Sequence, residues 1–425
     1  MAIVALALYG WLALGYATAT PLWQNPDEPA HFNYVADVAR TGALPVLQPG
    51  DYDAALLQRL KTGQLGPGDS VGAIRYESWQ PPLYYLVAAQ VYRLAPGGDL
   101  ARQVRTLRLF DVGLGAVTVL VGYLCAHAVA RQQAPWLAAS VPLAMAGVPM
   151  FTAVSAAVTD DALANLLAAL ATLATLRLVA SRATPWLALL VGVLLGLAIL
   201  TKLLLAVFAP IALVALLWRG QRSGAGTAVV VRDAALMTAA ACLVVAPWLV
   251  RQGVTYGPTD LLATQRHELV AGDQARFPGW GVDYVARWLT TTFHSFWAQF
   301  GWMAIPAPDR LYVLWGAVTL LGLAGLLVWL VRRCPRVAGP AIAAAAALAG
   351  ANAAALVLYN LTYDQAQGRY LFPSLVPLCL LLALGWSALP LPRPLSGAGA
   401  LGAAAALVAL NGYTLLRVLP AGFAG

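Results

Sequence analysis

The sequence predicts an all-α polytopic membrane protein with about eleven spanning helices. Three observations predict it. Hydrophobic residues fill 60% of the 425 positions and charged residues only 10%, against about 25% charged in soluble domains. Mean hydropathy is +0.72. A chain with so little polar surface cannot coat a soluble globule, so lipid must be its solvent. Apolar runs of spanning length then recur throughout, separated by short charged loops, and the arginines of those loops fall on one side.

The first run, 2–21, ends in Ala17-Thr18-Ala19 like a signal peptide but has no basic start, so we read it as an uncleaved first helix. The remaining spans are expected at roughly 108–130, 135–154, 161–180, 185–202, 203–218, 233–250, 311–331, 337–359, 371–389 and 398–416. The run 81–95 is short for a crossing and opens with Pro81-Pro82. Charge decides its placement. With 81–95 outside the count and a cytoplasmic N-terminus, Arg131, Arg177, Arg182, Arg219, Arg222, Arg232, Arg332, Arg333, Arg336 and Arg393 all face the cytoplasm, with Asp233 as the one acid among them. That is the positive-inside pattern. The run is therefore expected to lie at the outer interface, in a plasma-membrane protein with its N-terminus inside and its C-terminus outside.

The topology leaves two large outer loops, 22–107 and 251–310, within a single transmembrane domain over 1–425 and no separate soluble domain. The first is punctuated by Pro, Gly and Asp. In the second, Val285, Trp288, Leu289, Thr292, Phe293, Phe296, Trp297 and Phe300 recur at helical spacing, as in an amphipathic helix on a membrane surface. The net charge of +8 is scattered at helix ends and forms no basic stripe, so no nucleic-acid partner is expected. The four cysteines make no metal or disulfide pattern.

Polar constellations cluster on the outer side. Asn25-Pro26-Asp27-Glu28 follows the first span, with His31 one turn beyond Asp27. It reads as a helix cap, with Asn25 at N-cap and Glu28 completing a capping box, or as a carboxylate pair able to act as general base and as metal or hydroxyl ligand. Thr159-Asp160-Asp161 opens the fourth span, again as a cap or as an acidic site. Lys202, one of two lysines in the chain, is a snorkelling side chain or an anion-holding ammonium. Gln367-Gly368-Arg369-Tyr370 leads into the tenth span, as an interfacial anchor or a phosphate site. The aromatic stretch around Trp297 is an interface belt or a surface on which sugar or lipid stacks.

In order along the chain, NPDEPAHFNYV, WQPPLYYL, VTDDALANLLAAL and QGRYLFPSLVPL resemble the motifs of the GT-C superfamily of polyprenyl-phosphate-sugar-dependent glycosyltransferases. Protein O-mannosyltransferases, aminoarabinose transferases and bacterial predicted membrane proteins of unknown function are among its members. The resemblance implies a GT-C-like fold and an inverting transfer of sugar from a polyprenyl-phosphate donor to a glycan, lipid or protein acceptor at the outer face of the bilayer. It implies that Asp27 is the base or orients the acceptor, that Glu28 binds a metal or the donor phosphate, and that Asp160 or Asp161 is the second acid. Lys202 and Arg369, with Tyr370, would hold the donor phosphate; His31, Trp297 and Gln367 would touch sugar or acceptor. A divalent cation (Mg, Mn or Zn) on Glu28 and Asp161 is the one cofactor it admits. A lipid-linked-glycan flippase and a non-catalytic accessory subunit are the competing readings. Transporters place charge near mid-membrane, whereas these charges gather at one surface.

Overall fold

The computed structural model describes residues 1–63, 70–95, 99–130, 134–181, 185–272, 275–332, 339–389 and 396–424. Arg131, Arg182, Arg333, Arg336 and Arg393, which carry much of the topology argument, lie outside the described residues. The helices in chain order are α1 (Ala2–Ala19), α2 (Glu28–Thr41), α3 (Ala54–Lys61), α4 (Leu83–Leu94), α5 (Leu100–Ala130), α6 (Pro135–Ala146), α7 (Pro149–Val154), α8 (Asp161–Ala180), α9 (Pro185–Ile199), α10 (Phe208–Ser223), α11 (Thr227–Tyr256), α12 (Thr264–Ala271), α13 (Val282–Trp297), α14 (Asp309–Arg332), α15 (Gly339–Asn360), α16 (Leu375–Ala388), α17 (Ser396–Tyr413) and α18 (Leu419–Ala424). Two strands of two residues each, β1 (Gln299–Phe300) and β2 (Ile305–Pro306), pair antiparallel.

Among the described residues, nine helical segments are long and apolar enough to cross a membrane, and Pro135–Ala146 and Pro185–Ile199 are shorter apolar helices. The expected count of about eleven is thus reached only if both short helices cross. Each has a local cause. The run 135–154 breaks into α6 and α7 at Gly147-Val148, ahead of Pro149 at the start of the next helix; a proline lacks the N–H that an unbroken helix would need there. The run 185–202 leaves helical geometry after Ile199, where Lys202 turns extended at φ −153°. Several boundaries also move. α5 begins at Leu100 and not near 108, so Arg102 and Arg105 belong to the helix and not to the loop before it. The last span continues through a π turn, Thr414–Val418, into α18.

Small residues let the spanning helices approach closely. A Cβ on Gly325 of α14 would lie 1.9 Å from the Gly385 carbonyl oxygen of α16. Trp386 Nε1 then donates to the Val318 carbonyl at 2.9 Å across the same pair. The segments between α1 and α5 form their own apolar cluster. Residues 28–38 of α2 are buried along their whole length, and the Tyr34 and Tyr85 rings stack at 3.6 Å to join α2 to α4. The Leu83 N–H at the start of α4 donates to the Leu200 carbonyl at 2.9 Å. α4 is therefore docked beside the segment that carries Lys202.

Candidate active site

The segment between α1 and α5 is pinned by a buried ion pair. Arg108 of α5 donates from Nε and Nη2 to the two Glu28 carboxylate oxygens, each at 2.7 Å. Its other N–H groups reach the carbonyls of Ala17, Thr20 and Pro21. Glu28 also accepts from the backbone N–H groups of Trp23 and Val158, both at 3.2 Å. A fork of this kind fills both partners. Neither residue is more than 3% exposed, so the pair ties the end of α1, the start of α2 and the approach to α8 into one piece. The expected capping box is absent here: Asp27, not Asn25, is the N-cap of α2, and no side chain caps the helix.

Around that knot sits a second network. Lys202 Nζ lies 3.2 Å from Asp160 Oδ1 and 2.5 Å from Asp161 Oδ1. Arg369 pairs with Asp27 Oδ2, and its Nη1 stands 3.9 Å from Asp161 Oδ2. Asp27 Oδ1 accepts from the Tyr76 hydroxyl at 2.7 Å. His31 Nε2 is 3.9 Å from Asp160, while its Nδ1 is 2.8 Å from the Tyr85 hydroxyl. Asp27 holds a left-handed backbone, φ 63°, which aspartate tolerates better than most residues. Burial pushes the Asp27 carboxyl up, but the Arg369 guanidinium, helped by His31 and Tyr76, outweighs it and holds the group well below the usual carboxylate range.

Glycine sets the position of Arg369. A Cβ on Gly368 would lie 2.3 Å from both the Phe296 nitrogen and the Thr292 carbonyl oxygen of α13. The Gly368 N–H donates to Ser295 Oγ at 2.8 Å, and Asn352 of α15 donates to the Tyr370 carbonyl at 3.1 Å. The 3-10 turn Gly368–Ser374 is thus clamped between α13 and α15.

These side chains open on a cavity of about 710 Å³, lined from the segment between α1 and α4, the start of α8, the Lys202 segment, the 264–303 region and the 356–370 region. Of the sequence candidates, Asp27, His31, Asp160, Asp161, Lys202, Gln367, Arg369 and Tyr370 line it. Glu28 and Trp297 do not. Glu28 is committed to Arg108, and Trp297 is buried in the apolar core, stacked on Trp315 at 5.7 Å. Both Glu28 oxygens accept from the Arg108 guanidinium and Asp161 Oδ1 accepts from the Lys202 ammonium, while among the described residues Asp161 Oδ2 has no hydrogen-bond partner and no three His, Cys, Asp or Glu side chains gather as a ligand set.

Sequence reasoning missed Arg108, Tyr76 and Glu77. An arginine inside an apolar helix, one turn from Asp111, was the available signal for the first. Glu77 lines the cavity, and its Oε2 is sealed from solvent with no hydrogen-bond partner. Burial pushes its carboxyl up to about 7, against the pull of His31 and with the charges of Asp27 and Asp160 adding to the rise.

No curated protein is matched by the sequence. The fold resembles that of ArnT from Cupriavidus metallidurans bound to undecaprenyl phosphate, with a TM-score of 0.53 at 17% identity over 97% of this chain and 73% of that one. The apo state of the same protein gives 0.52 at 15% identity, over 96% and 78%. The Archaeoglobus fulgidus oligosaccharyltransferase tethered to an acceptor peptide gives 0.53 at 12% identity, over 99% of this chain and 55% of that one, so this chain spans about half its length. The architecture is therefore the GT-C fold. The profile of a family described as predicted membrane protein, DUF2142, matches residues 69–378, and the chain belongs to that family.

Proposed function

We propose that the chain is an inverting membrane glycosyltransferase that moves a sugar from a polyprenyl-phosphate carrier to an acceptor hydroxyl at the extracytoplasmic face of the plasma membrane. The observation that carries this reading is the pairing of two cations, Lys202 and Arg369, on one wall of a carboxylate-bearing cavity. Arg369 Nε is buried without a hydrogen-bond partner, a donor to spare for an anion. The GT-C fold, and the undecaprenyl phosphate in the ArnT structure, support a lipid phosphate as that anion.

The chemistry asks for little. The phosphate is a stable leaving group, so the protein need only align an acceptor oxygen opposite it and neutralise the departing charge. An incoming phosphate competes with Asp160 and Asp161 for Lys202 and with Asp27 for Arg369. Once Arg369 turns to the phosphate, Asp27 is released to orient the acceptor hydroxyl, with Tyr76 fixing its other oxygen. A displacement from the face opposite the phosphate inverts the anomeric centre.

The test is transfer from undecaprenyl-phosphate sugars, labelled in the sugar, by the purified chain in liposomes containing a cell-envelope extract as acceptor pool. Label leaving the carrier and appearing in an acceptor, dependent on Lys202 and Arg369, is the expected result. A folded protein that neither binds undecaprenyl phosphate nor moves label from any donor sinks the proposal.

A further inference from the structure

We propose that Glu77 is the catalytic base of this site, the group that hydrogen-bonds the acceptor hydroxyl and takes its proton; the assignment rests on the transferase reading above. Five acids line the cavity. Four are paired with cations: Asp27 with Arg369, Asp160 and Asp161 with Lys202, and Asp364 with Arg287 at 2.9 Å. Glu77 is the fifth, and among the described residues it has no cation partner. A carboxylate bound to a guanidinium or ammonium has its lone pairs engaged and its basicity lowered. The Glu77 carboxylate, bonded to the neutral Gln80 side chain and with no cation on it, keeps lone pairs with which to accept from a ligand.

The chain delivers Glu77 to that wall through short-range structure. Ser78 N–H donates to the Arg75 carbonyl at 2.9 Å, and Gln80 N–H donates to the Glu77 carbonyl at 3.0 Å. The turn ends at Pro81-Pro82, where α4 begins. The preceding residue, Tyr76, is bonded to Asp27, so Glu77 follows directly on the residue that fixes the acceptor-orienting carboxylate. The titratable groups facing it are Asp27, His31, Asp160, Tyr76, Tyr85 and Tyr359. Burial, with Asp27 and Asp160, raises its carboxyl to about 7. That suits a base working near neutral pH.

The step balances as follows. The acceptor oxygen bonds to the anomeric carbon while its proton passes to the Glu77 carboxylate. The bond from that carbon to the phosphate oxygen breaks, and its electron pair stays on the phosphate beside Lys202 and Arg369. Glu77 then returns the proton to water as product leaves.

The experiment uses the full chain in liposomes with the undecaprenyl-phosphate sugar donor and envelope acceptor pool, from pH 5.5 to 8.5. The wild-type rate should rise through an inflection near pH 7, because the base works deprotonated. E77Q should lose roughly 100-fold or more and the inflection with it, while still binding undecaprenyl phosphate. E77D should keep the inflection at a lower rate. Infrared spectra should carry a protonated-carboxyl band that titrates near pH 7 in the wild type and is missing in E77Q. The assignment is overturned by E77Q working within about threefold of wild type, or by a wild-type rate flat across this range. Either result leaves the transferase reading standing. A wild type that moves no sugar overturns both.

Discussion

Replacing Lys202 by methionine removes the ammonium while keeping most of the side-chain volume. In the native site that ammonium lies 3.2 Å from Asp160 and 2.5 Å from Asp161, whose residues are 0% and 4% exposed. Without it the nearest guanidinium among the described residues is that of Arg369, 3.9 Å from Asp161, and the His31 ring lies 3.9 Å from Asp160. Two adjacent buried carboxylates are then left without the cation they share and repel each other. The donor phosphate loses one charge-assisted hydrogen bond, worth about 1.5–3 kcal/mol, and meets the residual negative charge. Binding of undecaprenyl phosphate should therefore weaken by about 10–150-fold in K202M. K202R should fall between the two, since a planar guanidinium cannot take the place of a compact ammonium without moving the aspartates. Equilibrium binding of undecaprenyl phosphate to detergent-solubilised protein measures this, with the thermal unfolding midpoint as the control for folding. A folded K202M that binds within about threefold of wild type would refute the reasoning.

Three further outcomes are expected. Arg108→Met leaves the Glu28 carboxylate buried without its cation and should cost about 3–5 kcal/mol, whereas replacing both partners by methionine should restore part of it; unfolding followed by tryptophan fluorescence should rank the variants in that order. Asp27 is held at about 2, below its usual 3.8, so its contribution to stability is full above about pH 4 and is lost as pH falls through about 2. In D27N that segment of the acid-unfolding curve should flatten, and an unchanged curve would show that Arg369 does not stabilise the charged form. Gly368→Ala sets a Cβ against the α13 backbone at 2.3 Å and should displace Arg369, weakening undecaprenyl phosphate binding as well as costing about 1–3 kcal/mol; a variant that unfolds and binds like wild type refutes the clamp.

Much of this protein was legible because its causes are local. Composition and run length determine that the chain spans a membrane, since lipid leaves the backbone no partner but itself. Helix α8 begins at the acidic pair where the sequence placed it. Asp27, Asp160, Asp161, Lys202 and Arg369 stood out because charge in an apolar chain is expensive and must have a reason. What tertiary structure decided is which of those charges meet. Asp27 and Glu28 are neighbours in sequence with the same chemistry, yet one faces the cavity and Arg369 while the other is taken by Arg108, 80 positions away. Trp297, read as a stacking surface, is a core residue because α13 packs against the α14 segment carrying Trp315. Glu77 carries no sequence signal at all. Its significance lies in the absence of a cation beside it, and pairing between side chains far apart in the chain is settled only by the packing that brings their helices together.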